Sequence, residues 1–528
     1  MPVLVHNWIG MNDIFHKRWF VAGLFLAGVL IRLLFAWHQP FTNDEGAYLY
    51  DAQALVRGVL PGGDALVKSP AVIGLFSIAV WLTDSSLFAA RGVNVFFSLL
   101  AVVPLYFFAT QLFVRKVGIW ASIFWLLFAG PATWYVLGHT QAVAIFFMLA
   151  VLALWQYVLT SDRLSAKKSF WLILACGVLF ALSFLSRKAA ISILPVLVTL
   201  AWFANKDREW FVGKLSVFLL GVGIIFLPYA LIIYYLYGSL GLFQLLGVGY
   251  GNLIGQRVLD AGSINPWGAD IYWPFTVLGR AALGMALGAL LGAMFLLVRF
   301  YMATSLPYSP QKKMANPETI LFTWLVASVF LFALWPTFLP EYWADVWPLF
   351  CVLAAYGIHK LFVYKIALVV PILIFLLAIN LAIFFPSWQS PWTGMFTRQT
   401  IVEAADFMKE NIPLNEDIFT AASIIPYISG HHVVGEVAHP LWYHFAFINP
   451  QVRNTFLPPL EDLGQDLQSG KVKWVLDEQL AGYAYFFEGS PVSKSAGDEW
   501  VMRHDIQNKT GFRNNTIYFY ERVLGQNP

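Results

Sequence analysis

Long apolar runs dominate this sequence and restrict it to one broad class of fold. A helix needs about 20 mostly apolar residues to cross a bilayer. We predict eleven such spans, near residues 20–37, 87–113, 117–134, 136–159, 169–186, 189–204, 212–236, 271–298, 318–336, 343–358 and 364–385. The run at 189–204 is short enough to be tilted or partly re-entrant. The expected fold class is mainly α, a polytopic membrane protein.

Composition excludes the soluble classes of protein. Of the 528 residues, 59% are hydrophobic and only 12% are charged. The 22 Trp and 22 Tyr suit aromatic belts at the two membrane interfaces. Since no basic run or recognition motif indicates nucleic acid, we expect membrane lipids among the partners and no nucleic acid. Cys176 and Cys351 lie in apolar runs, which argues against a disulfide framework.

The distribution of Lys and Arg predicts the orientation in the membrane. Basic residues mark alternate ends of successive spans, which places them all on one face: Lys17/Arg18, Arg115/Lys116, Arg163/Lys167/Lys168, Lys206/Arg208/Lys214, Arg299/Lys312/Lys313 and Lys360/Lys365. By the positive-inside rule that face is cytoplasmic. We therefore expect a multi-pass protein of the cell membrane with its amino terminus inside and its carboxyl terminus outside. The first run lacks a small-residue cleavage site and should remain as an anchor.

The first outer loop, about 38–86, is long and only partly polar. Within it, Glu45 to Gly58 reads as an amphipathic helix with one apolar face, formed by Tyr48, Ala52, Leu55 and Val56. Asp51, Gln53 and Arg57 lie elsewhere on this helix. The apolar stretch from Pro70 to Thr83 is too short to span a bilayer, so we expect it in the interface.

Charge density rises after about residue 386, which predicts a second domain. Ile401, Ala405 and Met408 recur at helical spacing and mark an amphipathic helix. Four short segments read as strands: Asp417–Ala421, Lys473–Leu476, Val501–His504 and Thr516–Glu521. The predicted organisation is a transmembrane domain, 1–385, followed by a soluble extracytoplasmic α/β domain, 386–528.

Two adjacent carboxylates, Asp44 and Glu45, follow the first span directly. One interpretation is structural, because Thr42-x-x-Glu45 fits a capping box at the start of a helix. The other is chemical, because ionisable groups at a membrane boundary often line a site. In that case Asp44 acts as a general base or as a metal ligand. The two interpretations are compatible.

A set of short motifs along the chain resembles one family of membrane enzymes. The motifs occur in a consistent order: Arg32, Asp44-Glu45-Gly-Ala-Tyr48, Gly58, Lys68-Ser69-Pro70, Ala90-Arg91, Ser186-Arg187-Lys188, Leu339-Pro340-Glu341-Tyr342 and Trp347-Pro348. In this order and spacing they resemble the type-C membrane glycosyltransferases. The nearest branch is the group of dolichyl-phosphate-mannose–protein mannosyltransferases and lipid A aminoarabinose transferases. The resemblance is best over residues 20–200.

The resemblance implies transfer of a sugar from a polyprenyl-phosphate donor to a glycan, lipid or protein acceptor on the outer face. It implies Asp44, with Glu45 beside it, as the catalytic carboxylates and Asp44 as the base. A lipid phosphate leaving group needs cationic donors. Cations near outer span ends are the expected phosphate ligands: Lys68, Arg91, Arg187 and Lys188. The alternative for these cations is snorkelling toward headgroups.

Further residues are expected to line the cleft: Arg32, Tyr48, His139, Glu341 and Tyr342. Arg32 either snorkels or pairs with a carboxylate such as Asp44, while His139 lies at an outer span end where some relatives place a carboxylate. We expect no cofactor and no metal. His431, His432, His439 and His444 match no standard zinc spacing, so a surface or structural role is expected for them.

Other functions for a chain of this kind stay open. A transporter or flippase of lipid-linked sugars usually places ionisable residues at the membrane midplane and shows repeats. Here the ionisable residues concentrate at span ends, which favours an enzyme. A lipid-linked glycan ligase or polymerase usually carries its functional residues in a late outer loop. A non-catalytic assembly subunit remains the third alternative.

Overall fold

A computed structural model of the chain describes most of the predicted helical region and much of the tail. The described residues are 18–61, 65–161, 164–203, 208–246, 289–290, 292–294, 317–334, 344–363, 372, 376, 395–420, 422–436, 472–480, 483–484, 499–510 and 513–523. The predicted spans 271–298 and 364–385 lie almost wholly outside these residues, as do Glu341, Tyr342, His439 and His444.

Helices make up the part of the chain that precedes the tail. In chain order they are α1 (Arg18–His38), α2 (Asn43–Val56), α3 (Ala65–Lys68), α4 (Pro70–Leu82), α5 (Ala89–Leu100), α6 (Val102–Leu112), α7 (Arg115–Leu127), α8 (Ala129–Trp134), α9 (Gln141–Thr160), α10 (Ala166–Ser186), a 3-10 helix (Lys188–Ile193), α11 (Leu194–Phe203), α12 (Arg208–Leu245), α13 (Pro317–Leu334) and α14 (Trp347–Val363). Among the described residues, six helical segments are long and apolar enough to cross a membrane. The chain is thus a multi-pass membrane protein, and the exact number of spans stays a prediction.

Two predicted spans each contain a pair of helices. The run at 87–113 forms α5 and α6, which meet at Ala101 in helical conformation and together give one segment, Ala89–Leu112, long and apolar enough to cross a membrane. The run at 117–134 is not one continuous helix, because α7 ends at Leu127 and the next residue, Phe128, has an extended backbone. Pro131 accounts for the break, since its ring would clash with the carbonyl of the residue four positions earlier in a continuous helix. The short α8 then leads the chain into the turn before α9.

The first outer loop contains the predicted helix as α2, but not with one polar side. Tyr48 and Ala52 are buried as expected, yet Asp51 is also buried at 5% exposure and Val56 is exposed at 42%. The amphipathic prediction is therefore wrong on those two residues. The physical reason is that α2 packs against α4 on one side and against a helix of the tail on another. The short apolar stretch predicted at 70–83 is the helix α4.

The tail has the predicted helix and all the predicted strands. Its elements are β2 (Met395–Phe396), α15 (Arg398–Asn411), β3 (Ile418–Thr420), α16 (Ile424–Ser429), a 3-10 helix (Val434–Glu436), β4 (Trp474–Leu480), β5 (Tyr483–Ala484), β6 (Glu499–Thr510) and β7 (Arg513–Val523), and β1 (Phe41–Thr42) lies in the first outer loop. The larger sheet has the order β3-β4-β7-β6, with β5 paired to β4. Only β3 and β4 are parallel. Ile401, Ala405 and Met408 of α15 are completely buried, as their spacing predicts.

The tail and the first outer loop share one hydrophobic core. β1 pairs antiparallel with β2, with Phe41 opposite Phe396 and Thr42 opposite Met395. Residues of α2, α4, α15 and the sheet belong to the same buried cluster. The strand that leads into α2 is therefore held by the tail. The domain boundary near residue 385 lies outside the described residues and stays a prediction.

Candidate active site

Asp44 lies in the first turn of α2, and the residue is partly exposed. The turn begins with the predicted capping box. Thr42 Oγ1 accepts a hydrogen bond from the Glu45 amide at 3.1 Å, and the Thr42 amide donates to Glu45 Oε2 at 3.0 Å. Thr42 and Glu45 make both hydrogen bonds of the capping box, so the Asp44 carboxylate is not needed as a cap. The structural and chemical interpretations thus fall on different residues.

Glu45 has a structural environment, which corrects its prediction as a catalytic residue. Its side chain is 1% exposed, and Arg91 Nε and Nη2 donate to its two carboxylate oxygens at 2.7 and 2.8 Å. The Gly138 amide donates to Glu45 Oε1 at 2.6 Å. Donors from α5, from the turn before α9 and from the capping box of α2 thus occupy both carboxylate oxygens of Glu45. A carboxylate so enclosed positions these segments and is not accessible to a substrate.

Arg91 is likewise not a phosphate ligand in this arrangement. Besides its two bonds to Glu45, it donates to the carbonyls of Ala36, Gln39 and Pro40 at 2.6 to 2.8 Å. A guanidinium has five N–H donors, and all five are occupied here. Its guanidinium carbon also lies 3.8 Å from the centre of the Phe41 ring. Arg91 was predicted from its place at a span end, but it folds inward because those carbonyls end α1 and need donors.

The turn at Gly138 admits no side chain. A Cβ at this position would lie 2.9 Å from the Cβ of Ala90 and 3.1 Å from Glu45 Oε1. Asn94 holds the same turn, because its side-chain amide donates to the carbonyls of Leu137 and His139. Sequence reasoning missed Gly138 and Asn94. Asn94 carries a usable signal, since a polar amide inside an apolar helix needs a partner.

His139 is brought next to Asp44, as the prediction of a shared cleft requires. Its Nε2 lies 2.9 Å from Thr42 Oγ1, and its ring contacts Trp134 edge-on at 5.1 Å. It lies in the turn that precedes the spanning helix α9. Burial lowers the pKa of His139, while the nearby charges of Asp44 and Glu45 oppose that shift. Burial thus disfavours the charged form of the imidazole near Asp44.

Arg187 approaches the same place from the end of α10. Its Nε donates to Asp345 at 2.8 Å, and its Nη1 donates to Thr140 Oγ1 at 3.3 Å. Thr140 directly follows His139, so Arg187 and Asp44 border one polar cluster. The Arg187 side chain retains 17% exposure. Among the predicted phosphate ligands, Arg187 is thus connected through Thr140 to the turn that holds His139.

Lys188 differs from Arg187 in having no hydrogen-bond partner among the described residues. Its buried Nζ lies 4.7 Å from the centre of the Phe184 ring. An ammonium group held against an aromatic face without an acceptor carries an unsatisfied cost of burial. Lys68 at the end of α3 is partly buried, and its Nζ lies 6.0 Å from the centre of the Tyr48 ring. Tyr48 itself is 6% exposed and packs on Phe76, so it supports Lys68 from within the core.

Arg32 neither snorkels nor pairs with Asp44, which corrects both interpretations. It is completely buried. Its guanidinium donates to Ser98 Oγ at 3.0 Å and to the carbonyls of Trp125 and Leu126 at 2.8 and 2.9 Å. Because α7 ends just beyond these residues, their carbonyls lack helical donors. Arg32 therefore stabilises the break after α7 and does not line the cleft.

Within the described part of the chain, no group of three or more His, Cys, Asp or Glu side chains is arranged to hold a metal ion. His431 is completely buried, with its ring nitrogens 2.9 Å from Ser429 Oγ and from the Ile412 carbonyl oxygen. His432 bonds to Glu436. Both histidines have the structural role expected for them. Glu341 and Tyr342 lie outside the described residues, so their place in the cleft stays a prediction.

The fold is similar to that of solved ArnT and oligosaccharyltransferase structures, which are type-C membrane glycosyltransferases, the group that the sequence resembles. ArnT from Cupriavidus metallidurans bound to undecaprenyl phosphate superposes with a TM-score of 0.61 at 12% identity, covering 95% of this chain and 98% of that one. The oligosaccharyltransferase from Archaeoglobus fulgidus, in complex with Zn and sulfate, superposes with a TM-score of 0.58 at 16% identity, covering 86% and 68%. AglB from the same organism, with an inhibitory peptide and a dolichol-phosphate, gives a TM-score of 0.55 at 14% identity, covering 88% and 70%.

No protein-family model matches the chain, and no curated protein matches it by sequence. At identities of 16% and below, the structural likeness establishes the fold and leaves the chemistry to be argued from the site.

Proposed function

We propose that this protein is an integral-membrane glycosyltransferase that moves a sugar from a polyprenyl-phosphate donor to an acceptor on the outer face of the membrane. The observation that carries the proposal is the contrast between neighbouring carboxylates. Glu45 is enclosed by protein donors, whereas Asp44 is partly exposed near His139, and Arg187 bonds to Thr140, which follows His139 in the chain. A partly exposed carboxylate in such a setting suits a general base.

The proposed reaction is a substitution at C1 of the sugar. The acceptor hydroxyl attacks C1 and forms the new C–O bond, while the bond from C1 to the phosphate oxygen breaks. The electron pair of that bond leaves with the polyprenyl phosphate, and the hydroxyl proton passes to Asp44. A positioned base contributes about 10²–10⁴-fold to such a rate.

Arg187 and Lys188 are the proposed ligands of the leaving phosphate. Both follow α10 directly, at the end of the helix opposite to its predicted cytoplasmic end. A phosphate oxygen would supply the acceptor that Lys188 Nζ lacks among the described residues. The neighbours ArnT and AglB were solved with undecaprenyl phosphate and dolichol-phosphate, which supports a lipid phosphate as the kind of ligand. Lys68, whose ammonium lies 6.0 Å from the centre of the Tyr48 ring, is a further proposed ligand.

The acceptor class and the sugar are not distinguished by the described residues. The proposal covers a glycan, lipid or protein acceptor.

The test measures the fate of the donor. Purified protein in vesicles is incubated with a lipid extract of its native membrane, and glycosylated and free polyprenyl phosphates are quantified by mass spectrometry. We expect loss of the glycosylated lipid and appearance of free polyprenyl phosphate, with the sugar mass added to an acceptor. A transporter or flippase would move the intact lipid between leaflets, so an unchanged ratio of the two lipids together with such movement contradicts the proposal. Protein carrying Asp44→Asn is the blank.

A further inference from the structure

Glu436 in the tail makes contacts that reach back to the helix of the candidate base. Its Oε2 accepts hydrogen bonds from Tyr50 Oη at 2.8 Å and from Arg57 Nη2 at 3.0 Å. Tyr50 lies in the middle of α2, and Arg57 is its C-terminal cap. His432 Nδ1 lies 2.7 Å from the other carboxylate oxygen. One side chain of the tail thus binds α2 at two places, 386 and 379 residues away in sequence.

The Tyr50 hydroxyl bonds to a second residue of the tail as well as to Glu436. Tyr50 Oη donates to Glu436 and accepts from the Val433 amide at 2.7 Å, so the hydroxyl bridges two points of the tail. Tyr50 is completely buried. Burial and the neighbouring charge of Glu436 raise the pKa of Tyr50, which keeps the hydroxyl protonated as a donor. Arg57 is partly buried and lies 5.3 Å from the centre of the Tyr50 ring.

The backbone at Glu436 is strained in a way that its contacts must offset. Its φ is +54°, in the left-handed region, and it follows Gly435 at +63°. A non-glycine residue held there is strained and keeps this conformation only when its surroundings determine it. The side-chain bonds to Tyr50, Arg57 and His432 hold Glu436 in this conformation. An outlier of this kind points to a constraint on the position of the carboxylate.

Other contacts of the tail act on the same helix. The side-chain amide of Gln53 donates to the Tyr427 carbonyl at 3.2 Å, and Tyr427 Oη donates to the Ser86 carbonyl at 3.0 Å. At the opposite end of α2, Gly46 meets the backbone of Ile424 so closely that a Cβ there would lie 2.8 Å from its amide nitrogen. The tail segment 422–436 therefore contacts α2 from its first turn to its last.

We propose that Glu436 is a positioning residue for the reaction, fixing through Tyr50 and Arg57 the orientation of α2 and hence of Asp44. This rests on the proposed function. Glu436 touches no reacting atom; it determines where the base lies. A displacement of about 1 Å of a catalytic group can cost about 10²-fold in rate.

The test uses the full-length protein with the substitutions Glu436→Gln, Arg57→Gln and both together. The matched control is Glu416→Gln, since Glu416 has the same side-chain exposure of 18% and pairs with Lys473 elsewhere in the tail. We expect Glu436→Gln to lower kcat roughly ten-fold with little change in KM for the lipid donor. The double variant should lose no more than the worse single variant, because both act through one contact. Glu416→Gln should leave kcat unchanged.

Hydrogen exchange of α2 gives a second readout that needs no substrate. Amides in 43–56 should exchange faster in Glu436→Gln than in the wild type or in Glu416→Gln. Unchanged kcat and exchange in Glu436→Gln overturn the inference, and so do equal losses in Glu436→Gln and Glu416→Gln or additive losses in the double variant. Failure of the proposed function is recognised separately: the wild type would then transfer no sugar, or Asp44→Asn would transfer at the wild-type rate, whatever the hydrogen exchange of Glu436→Gln.

Discussion

Asp44 and Glu45 illustrate how two identical functional groups take different roles within one turn. The two residues are adjacent in α2. The Glu45 carboxylate bonds to Arg91 and to the Gly138 amide, while Asp44 remains partly exposed. The buried pair of Glu45 and Arg91 fixes the turn, and under the proposed function the partly exposed Asp44 acts as the base. At the scale of single residues, the proposal thus assigns stability and catalysis to neighbouring side chains.

Breaking the buried pair of Glu45 and Arg91 should destabilise the protein, and more so when one partner is replaced than when both are. Glu45→Gln or Arg91→Gln alone leaves one charge uncompensated in a completely buried place, which we expect to cost about 3–5 kcal/mol. The combination of both substitutions should recover part of that loss, because no lone charge remains. Thermal unfolding of the detergent-solubilised protein measures this. A single substitution within about 1 kcal/mol of the wild type would show that the pair is not buried as described.

The proposed phosphate ligands predict a loss of donor binding without a loss of folding. A charge-assisted hydrogen bond is worth about 1.5–3 kcal/mol. Lys188→Gln should therefore weaken polyprenyl-phosphate binding roughly ten-fold or more, as measured by lipid titration of the purified protein. The double change with Arg187→Gln should weaken it further.

A matched control for these residues is Lys214→Gln, which changes a lysine whose Nζ is bonded to Ser169 at the opposite end of α10. Unchanged affinity in the double variant would assign Arg187 and Lys188 to lipid headgroups or to structure.

At the scale of elements, α2 is the part on which the site depends. It is capped by Thr42, anchored by Glu45, and enclosed between α4 and α16. The strand that precedes it pairs with a strand of the tail. The orientation of its first turn is therefore set by segments from both ends of the chain.

The close approach of α2 to α16 gives a prediction at this scale. Gly46→Ala would place a Cβ 2.7 Å from that of Ile424 and against backbone, so α2 must shift. We expect a cost of about 1–3 kcal/mol in stability, together with a fall in transfer rate. Gly92→Ala is the control, because its Cβ would meet nothing within 4 Å on an exposed helix surface. Equal melting temperatures for the two variants would contradict this packing.

Local features of this fold could be predicted from sequence, because their causes lie within a few residues. The capping box and the tail strands are examples, and the apolar runs mark the helices. The pairing of Arg91 with Glu45 could not, since it joins residues 46 apart and hydropathy only places Arg91 at a span end. Arg32 was misassigned for the same reason: its partners are carbonyls freed by a helix break 93 residues away. Sequence placed Asp44 directly after the first span and assigned the capping box to Glu45, but it did not reveal the bonds of Glu45 to Arg91 and to the Gly138 amide.

For the whole molecule, the orientation in the membrane remains the main prediction from the charge distribution. Residues near 115, 165 and 313 should be cytoplasmic, while residues near 64 and 470 should be external. Single cysteines at these positions, in a background lacking Cys176 and Cys351, can be labelled in intact cells with an impermeant reagent. Strong labelling at 165, or protection at 470, would overturn the predicted topology.

The central claim is that Asp44 accepts the acceptor proton during transfer from a lipid-phosphate donor. The most direct measurement is the single-turnover rate of sugar transfer by purified Asp44→Asn protein. We predict a fall of about 10²–10⁴-fold with donor binding and melting temperature retained. Asp84→Asn, the same substitution at an exposed position in the same loop, should transfer at the wild-type rate. A rate for folded Asp44→Asn protein close to that of Asp84→Asn would contradict the account.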